Sequence, residues 1–246
     1  MTTPAPAPKS ASEKGLSVVL VHGAFVDGSG WRGVHDRLAS AGYEVLVVQN
    51  PTITLDGDAA ETRRVIAQAK HPVILVGHSY GGAVITAAGD HPSVRSLVYI
   101  AAFAPDAGES VFDLATAPVP GFEGPPLLPS SDGVMLVDPV AFPSVFAADV
   151  DLATTRFMAA SQTPWGLGAV QAKITRPAWK AKPVHYLVAT QDRMIAPAAQ
   201  RSMANRAQAT SAEIQSSHAV MLSHPDAVVA AIVRAAADVT TPHDAA

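Results

Sequence analysis

The sequence predicts an α/β fold: a doubly wound, mostly parallel sheet of about six strands with a lid insertion. Three observations predict it. Short apolar, β-branched runs alternate with segments that repeat apolar residues at helical spacing. The run at 73–76, Val-Ile-Leu-Val, has no polar face, as expected of a strand buried on both sides of a parallel sheet. That run leads directly into Gly77-His78-Ser79-Tyr80-Gly81-Gly82, a Gly-x-Ser-x-Gly turn followed by a small-residue helix start. A serine on so sharp a strand-to-helix turn sits in a strained backbone, and bulky residues two positions to either side would clash. The helix that follows aims its free N–H groups at Ser79, where they can stabilise developing negative charge.

The elements follow in order. Residues 1–14, rich in Pro, Ala, Thr and Ser, lack the basic start and apolar centre of a secretory signal and are expected to be a disordered tail. The domain is expected over 15–240. Residues 16–21 form a strand ending in His22-Gly23-Ala24-Phe25, and a glycine-rich loop leads into a helix over 31–40, with Gly42 at its end. A strand at 44–48 is followed by a helix over 58–70, with Asp56 or Asp58 to cap it. After the Ser79 turn, a helix runs from Tyr80 to about Asp90, and residues 94–102 form a strand. From 105 to 183 prolines recur, a helix is expected at 150–160, and tryptophans and phenylalanines are interspersed. This is read as a lid over a pocket. The alternation resumes with a strand at 184–189, a helix at 198–208, a strand at 212–215 and a closing helix over 225–238.

Composition bounds the function. With 246 residues, 48% of them hydrophobic, the chain can bury the core of one sizeable α/β domain. A formal net charge of -4 gives no reason to expect nucleic acid or an anionic membrane as partner. The absence of cysteine excludes disulfides, thiolate nucleophiles and Cys-based metal sites. No apolar run approaches the length of a membrane span, and the expected location is cytoplasmic.

The chemistry rests on three strand ends. A serine hydroxyl is a weak nucleophile until an oriented base takes its proton. Loops after the C-terminal ends of parallel strands share one edge, and Ser79, Asp192 and His218 each follow a strand there. Of the nine histidines, His218 follows the last strand directly and is the expected general base. His22 is expected to brace the first loop and His78 to point into the fold. His71, His91 and His224 precede prolines at element boundaries, His35 and His185 lie within elements, and His243 is in the tail. No pair has metal-ligand spacing with a carboxylate nearby, so no metal or other cofactor is expected. Asp106 competes with Asp192 for the acid. Asp192 is preferred because it lies in a compact loop leading to a helix, whereas Asp106 leads into the lid. A helix-start role paired with Arg193 is its bland alternative. An oxyanion would be held by the N–H groups of Tyr80 and of Ala24 or, alternatively, Phe25. The expected pocket wall is Phe25, Tyr80, Phe103, Trp165, Met194 and Val220.

These residues resemble the α/β-hydrolase superfamily from Leu16 to Val239, and within it the small cofactor-free serine esterases related to plant methylesterases and hydroxynitrile lyases. The matched pieces are Val21-His22-Gly23-Ala24, the Gly77–Gly82 turn, Ala189-Thr190-Gln191-Asp192, and the run from Ser217 through Pro225. The resemblance implies catalytic Ser79, Asp192 and His218 with oxyanion donors Ala24 and Tyr80. Ala219 stands where hydroxynitrile lyases carry lysine, which argues against cyanohydrin cleavage. Ser79 argues against the aspartate-nucleophile dehalogenases and epoxide hydrolases. The expected function is a serine carboxylesterase of small, fairly apolar esters with acyl transfer as a side activity. The expected partner is a small-molecule ester, and a homodimer is allowed. Two rivals stay open: cofactor-free lyase or oxygenase chemistry with His218 as base, and a hydrolase-fold receptor that binds without turnover.

Overall fold

A computed structural model describes residues 15–129 and 132–240; the expected N-terminal tail and His243 lie outside the described residues. Strands β1 (Ser17–Val21), β2 (Glu44–Val48), β3 (Val73–His78) and β4 (Val94–Ile100) precede a long insertion. Within the insertion, β5 (Val134–Met135) and β6 (Trp165–Gly166) form a short antiparallel pair. Strands β7 (Val184–Ala189) and β8 (Thr210–Ile214) follow it. The main sheet has the order β2-β1-β3-β4-β7-β8, and every pairing in it is parallel.

Both faces of the sheet are covered, and the alternation along each strand shows why the inner strands have no polar face. In β3, Val73 and Leu75 join one core, while Ile74 and Val76 join the other. In β1, Val19 and Val21 face the first core, and Val18 and Leu20 the second. Helices Leu55–Ile66, Gly81–Ala88 and Pro197–Arg206 contribute to the first core. Helices Arg32–Ser40 and Pro225–Thr240 contribute to the second. Each fully buried aliphatic side chain contributes about 1.5–3 kcal/mol, so the two cores set the sheet's register far more firmly than the exposed ion pairs do.

The helix expected at 58–70 begins three residues earlier, because Thr54 caps it by accepting the Gly57 N–H. Asp58 is not a cap. Its carboxylate turns inward, where Tyr80 Oη donates to Oδ2 at 2.6 Å and the Thr52 N–H donates to Oδ1 at 2.9 Å. The helix after Ser79 ends at Ala88, and the insertion helix spans Leu152–Ala160. Among the described residues, no helix is long and apolar enough to cross a membrane.

The strand order places the site. The chain moves outward from β1 to β2, then crosses back to lay β3 on the other side of β1. The crevice beyond the carboxyl ends of β1 and β3 is therefore the topological switch point, the usual ligand position in open α/β sheets. The loop His22–Phe25 and Ser79 both sit there.

Candidate active site

Ser79 follows β3 with φ +55°, in the left-handed region that a side-chain-bearing residue enters only under constraint. The constraint comes from both sides. The Ser79 N–H donates to Ile100 O at 3.3 Å, and Ser79 O accepts from Gly82 N at 3.0 Å and Phe103 N at 3.1 Å. A Cβ on Gly77 would stand 2.5 Å from Gly81 O, so the turn can be this tight only with glycine there. Gly23, from the loop after β1, lies so close that a Cβ on it would stand 2.6 Å from Ser79 Cβ and 3.2 Å from Oγ. Phe25 in the same loop also has a left-handed backbone, at φ +66°. The hydrogen bonds of the surrounding turns, among the described residues, do not include the N–H groups of Ala24 or Tyr80.

His22 braces this loop. Its Nε2 accepts the Asn50 N–H at 2.9 Å, which leaves Nδ1 as the protonated nitrogen, 2.8 Å from Gly23 O. Burial lowers its pKa, so the ring stays neutral.

Asp192, three residues past the end of β7, and His218, four past the end of β8, meet at the same edge. His218 Nδ1 lies 2.7 Å from Asp192 Oδ2, and both side chains are fully buried. Asp192 accepts three further hydrogen bonds: from Met194 N at 2.7 Å and Ile195 N at 3.0 Å on Oδ1, and from Gln200 Nε2 at 2.7 Å on Oδ2. A carboxylate accepting four bonds is fixed in rotation. It therefore accepts the Nδ1 proton of His218, which leaves Nε2 as the acceptor nitrogen. Nε2 is buried and has no hydrogen-bond partner among the described residues. Arg193 turns away from Asp192, with Nη1 3.2 Å from Ser144 O. Asp106 is paired instead with Lys180 at 2.5 Å on the outside of the insertion.

His78 points into the fold, as its turn position predicts. Its Nε2 lies 2.9 Å from His218 O, and its ring stands 4.6 Å from the His218 ring between centroids. Burial, reinforced by the neighbouring His218, holds its pKa well below the ordinary histidine value.

A cavity of about 230 Å³ opens onto Ser79. Of the expected wall residues, Phe25, Phe103, Trp165 and Met194 line it, together with Ala24. The expectation for Val220 is corrected. It is fully buried in the core on the other face of the sheet, with Trp31 and Ile232, because the short helix Val220–Ser223 turns its side chain away from the cavity. The Tyr80 side chain is likewise fully buried, packed on Trp165 and bonded to Asp58. Burial pushes the Tyr80 hydroxyl well above its ordinary pKa, and it also raises that of Asp58, which suits a phenol donating to a buried carboxylate. Phe112, Leu127, Met135, Val170 and Ile195 also line it, together with Ala115, Thr116, Gly124 and Pro125. Adjacency to the strand-end loops could not identify them, because all but Ile195 come from within the insertion. Gln200 was also missed; a glutamine fully buried in an otherwise ordinary helix is visible only once its partners Asp192 and the Ala189 N–H are in place. Among the described residues, no group of three or more His, Asp or Glu is placed to hold a metal ion.

The comparisons with known proteins agree with this architecture. A carbendazim hydrolyzing esterase from Nocardioides sp. (strain SG-4G) is 38% identical over 116 residues, covering 42% of this chain and 48% of that protein, so the match spans about half of the relative's length. Among solved structures, a pyrethroid hydrolase from Sphingobium faniae superimposes with a TM-score of 0.78 at 22% identity, covering 90% of this chain and 98% of that one. A methylesterase from Arabidopsis does so with a TM-score of 0.74 at 19% identity, covering 91% and 99%. At such identities these structures share the fold. The alpha/beta hydrolase family model matches residues 18–231, from β1 into the last helix and through all the strand-end loops described above, and the chain belongs to that family.

Proposed function

We propose that this protein is a serine carboxylesterase acting on small, fairly apolar esters through an acyl-enzyme. One observation carries the reading: Ser79, strained at φ +55°, forms part of the wall of an apolar cavity. At the same edge, a buried histidine has Nδ1 bound to Asp192 and Nε2 unpartnered. In this reading His218 Nε2 takes the Ser79 proton as Oγ attacks the ester carbonyl. Asp192 holds the ring in the tautomer that permits this and stabilises the imidazolium that forms. The Ala24 and Tyr80 N–H groups hold the oxyanion, each worth about 2.7–4 kcal/mol of barrier by comparison with a removed donor elsewhere. His218 then protonates the leaving alcohol, and water activated by the same ring releases the acid.

The cavity supports the substrate class. Among the described residues, Ser79 and Thr116 provide its only side-chain hydroxyls, and the rest of that wall is apolar or glycine. At about 230 Å³ it lies below the roughly 300–1,000 Å³ of drug-sized sites, which favours compact acyl groups. An apolar wall also slows competing water, so transfer of the acyl group to an alcohol or peroxide is proposed as a side activity. The insertion between β4 and β7 supplies much of the wall and is proposed to serve as the lid. Two of the similar proteins, the carbendazim hydrolyzing esterase and the methylesterase, are named as esterases, which supports the same reaction class.

The test is turnover of short-chain aryl esters by wild type and Ser79→Ala. Loss of the serine in a well-studied protease costs about 2 × 10⁶ in kcat, so activity should fall to the background rate. A variant that retains most of the wild-type rate excludes the serine mechanism.

A further inference from the structure

The insertion does more than wall the cavity: it grips the backbone on both sides of His218. Asp149, in the loop before helix Leu152–Ala160, accepts the Ser217 N–H on Oδ2 at 2.9 Å and the Ser217 hydroxyl on Oδ1 at 2.5 Å. The Ser216 hydroxyl also donates to Oδ2, at 3.0 Å. On the far side, the Ala219 N–H donates to Phe146 O at 3.0 Å. The Phe146 ring stands edge-on to the His218 ring, with centroids 4.8 Å apart and planes at 86°. The His218 carbonyl between them is held by His78. One backbone polar group on each of three consecutive residues, Ser217 to Ala219, is thus fixed, two of the three by the insertion rather than by the sheet.

The chemistry gives this weight. The Asp192 bond alone leaves His218 free to pivot about that contact, and Nε2 has no partner to stop it. A ring that serves as base must hold its Nε2 to within a fraction of an ångström, because a displacement of about 1 Å can cost 10²-fold in rate. The side-chain bonds of the Ser216–Ser217 loop converge on Asp149, whose carboxylate burial alone would push up in pKa. The hydrogen bonds from Ser217, Ser223 and Ser216 outweigh that and keep it below the ordinary value, hence ionised and accepting.

We propose that Asp149 is a positioning residue for His218, through which the insertion aligns the base with Ser79. The proposal rests on the reading of His218 as general base. Asp149→Ala should lower kcat for an aryl ester by roughly 10- to 100-fold while KM changes less than about twofold, since the cavity wall is untouched. The rate of fluorophosphonate reaction at Ser79 should fall in the same proportion. Asp149→Asn, which keeps one acceptor for the Ser217 N–H, should lie between. A third readout is independent of turnover: the low-field NMR resonance of the His218 Nδ1 proton, bridged to Asp192, should shift or broaden in Asp149→Ala. If Asp149→Ala does not fold, Ser217→Ala removes the hydroxyl's bond to Asp149 together with the one it accepts from the Ala219 N–H at 3.2 Å, and should show the same pattern to a smaller degree. A folded Asp149→Ala with wild-type kcat and an unchanged resonance overturns the proposal. So does a loss of rate that merely tracks the unfolded fraction. If wild type turns over no ester while the resonance still responds to Asp149, the esterase reading fails and the positioning claim stands.

Discussion

Replacing Asp192 by asparagine has an outcome that can be worked from its four hydrogen bonds. Asparagine offers one oxygen and one NH₂ in place of two oxygens. With the oxygen toward the Met194 and Ile195 amides, those two main-chain donors stay satisfied, and the NH₂ then faces His218 Nδ1 and Gln200 Nε2. The opposite orientation strands two backbone donors instead, at about 1–3 kcal/mol each. The first orientation therefore wins. It asks His218 to accept at Nδ1 and carry its proton on Nε2, the wrong tautomer for a base. The equivalent substitution in the serine protease used as the general template lowers kcat by about 10⁴, and a fall of that order is expected for Asp192→Asn on short-chain aryl esters. Stability should fall by about 1–3 kcal/mol as Gln200 Nε2 loses an acceptor, a loss too small to account for the rate. Asp106→Asn, at the surface ion pair with Lys180, should leave kcat unchanged. An Asp192→Asn enzyme within tenfold of wild type, folded and measured beside that control, would refute the reasoning.

Two further outcomes are expected. Gly23→Ala places a methyl 2.6 Å from Ser79 Cβ and 3.0 Å from His78 O, so the loop or the serine must move; kcat should drop by up to about 10²-fold, with a stability loss of about 1–3 kcal/mol from overpacking, and a variant with wild-type kcat would show that this contact does not align the nucleophile. His78, with its pKa held well below 6.5 by burial, stays neutral when folded, whereas the unfolded chain binds a proton below 6.5. Its contribution to stability is therefore complete above that pH and is lost as pH falls toward the folded value. Asp58, raised by burial, acts oppositely, contributing below its ordinary 3.8 and losing that contribution as pH rises through the folded value. Denaturant unfolding between about pH 7.5 and 5.5 should show stability falling with pH in wild type and falling less in His78→Gln; equal slopes in the two would contradict the assignment.

How much of this was legible in the sequence depended on whether a signal was local. The 73–76 run and the Gly-x-Ser-x-Gly spacing report on one strand and one turn, and both stand where they were expected, with the strained φ at Ser79 and the close glycines giving the physical reason. Strand bounds moved by one or two residues. The helix after β2 begins at Leu55, capped by Thr54, rather than near Asp58, because two candidate caps stood close together and only the tertiary partner Tyr80 shows that Asp58 is turned inward. Val220 illustrates the limit of sequence adjacency: two residues from His218, it points into the opposite core. The insertion was hardest to read. Its prolines and aromatics signalled burial, but the pairing of Val134–Met135 with Trp165–Gly166 spans some thirty residues with two-residue strands, too short to leave a periodic trace. Asp149 and Phe146 carry no motif, and their importance appears only when the His218 loop is folded against them.

The most direct test of the central claim is covalent. Wild-type protein treated with a fluorophosphonate and digested should carry a single phosphonyl group on the peptide containing Ser79. The label should be absent from Ser79→Ala and greatly slowed in His218→Ala. Ester turnover that persists with Ser79 unlabelled, or a label that forms on another residue as activity is lost, would contradict the account.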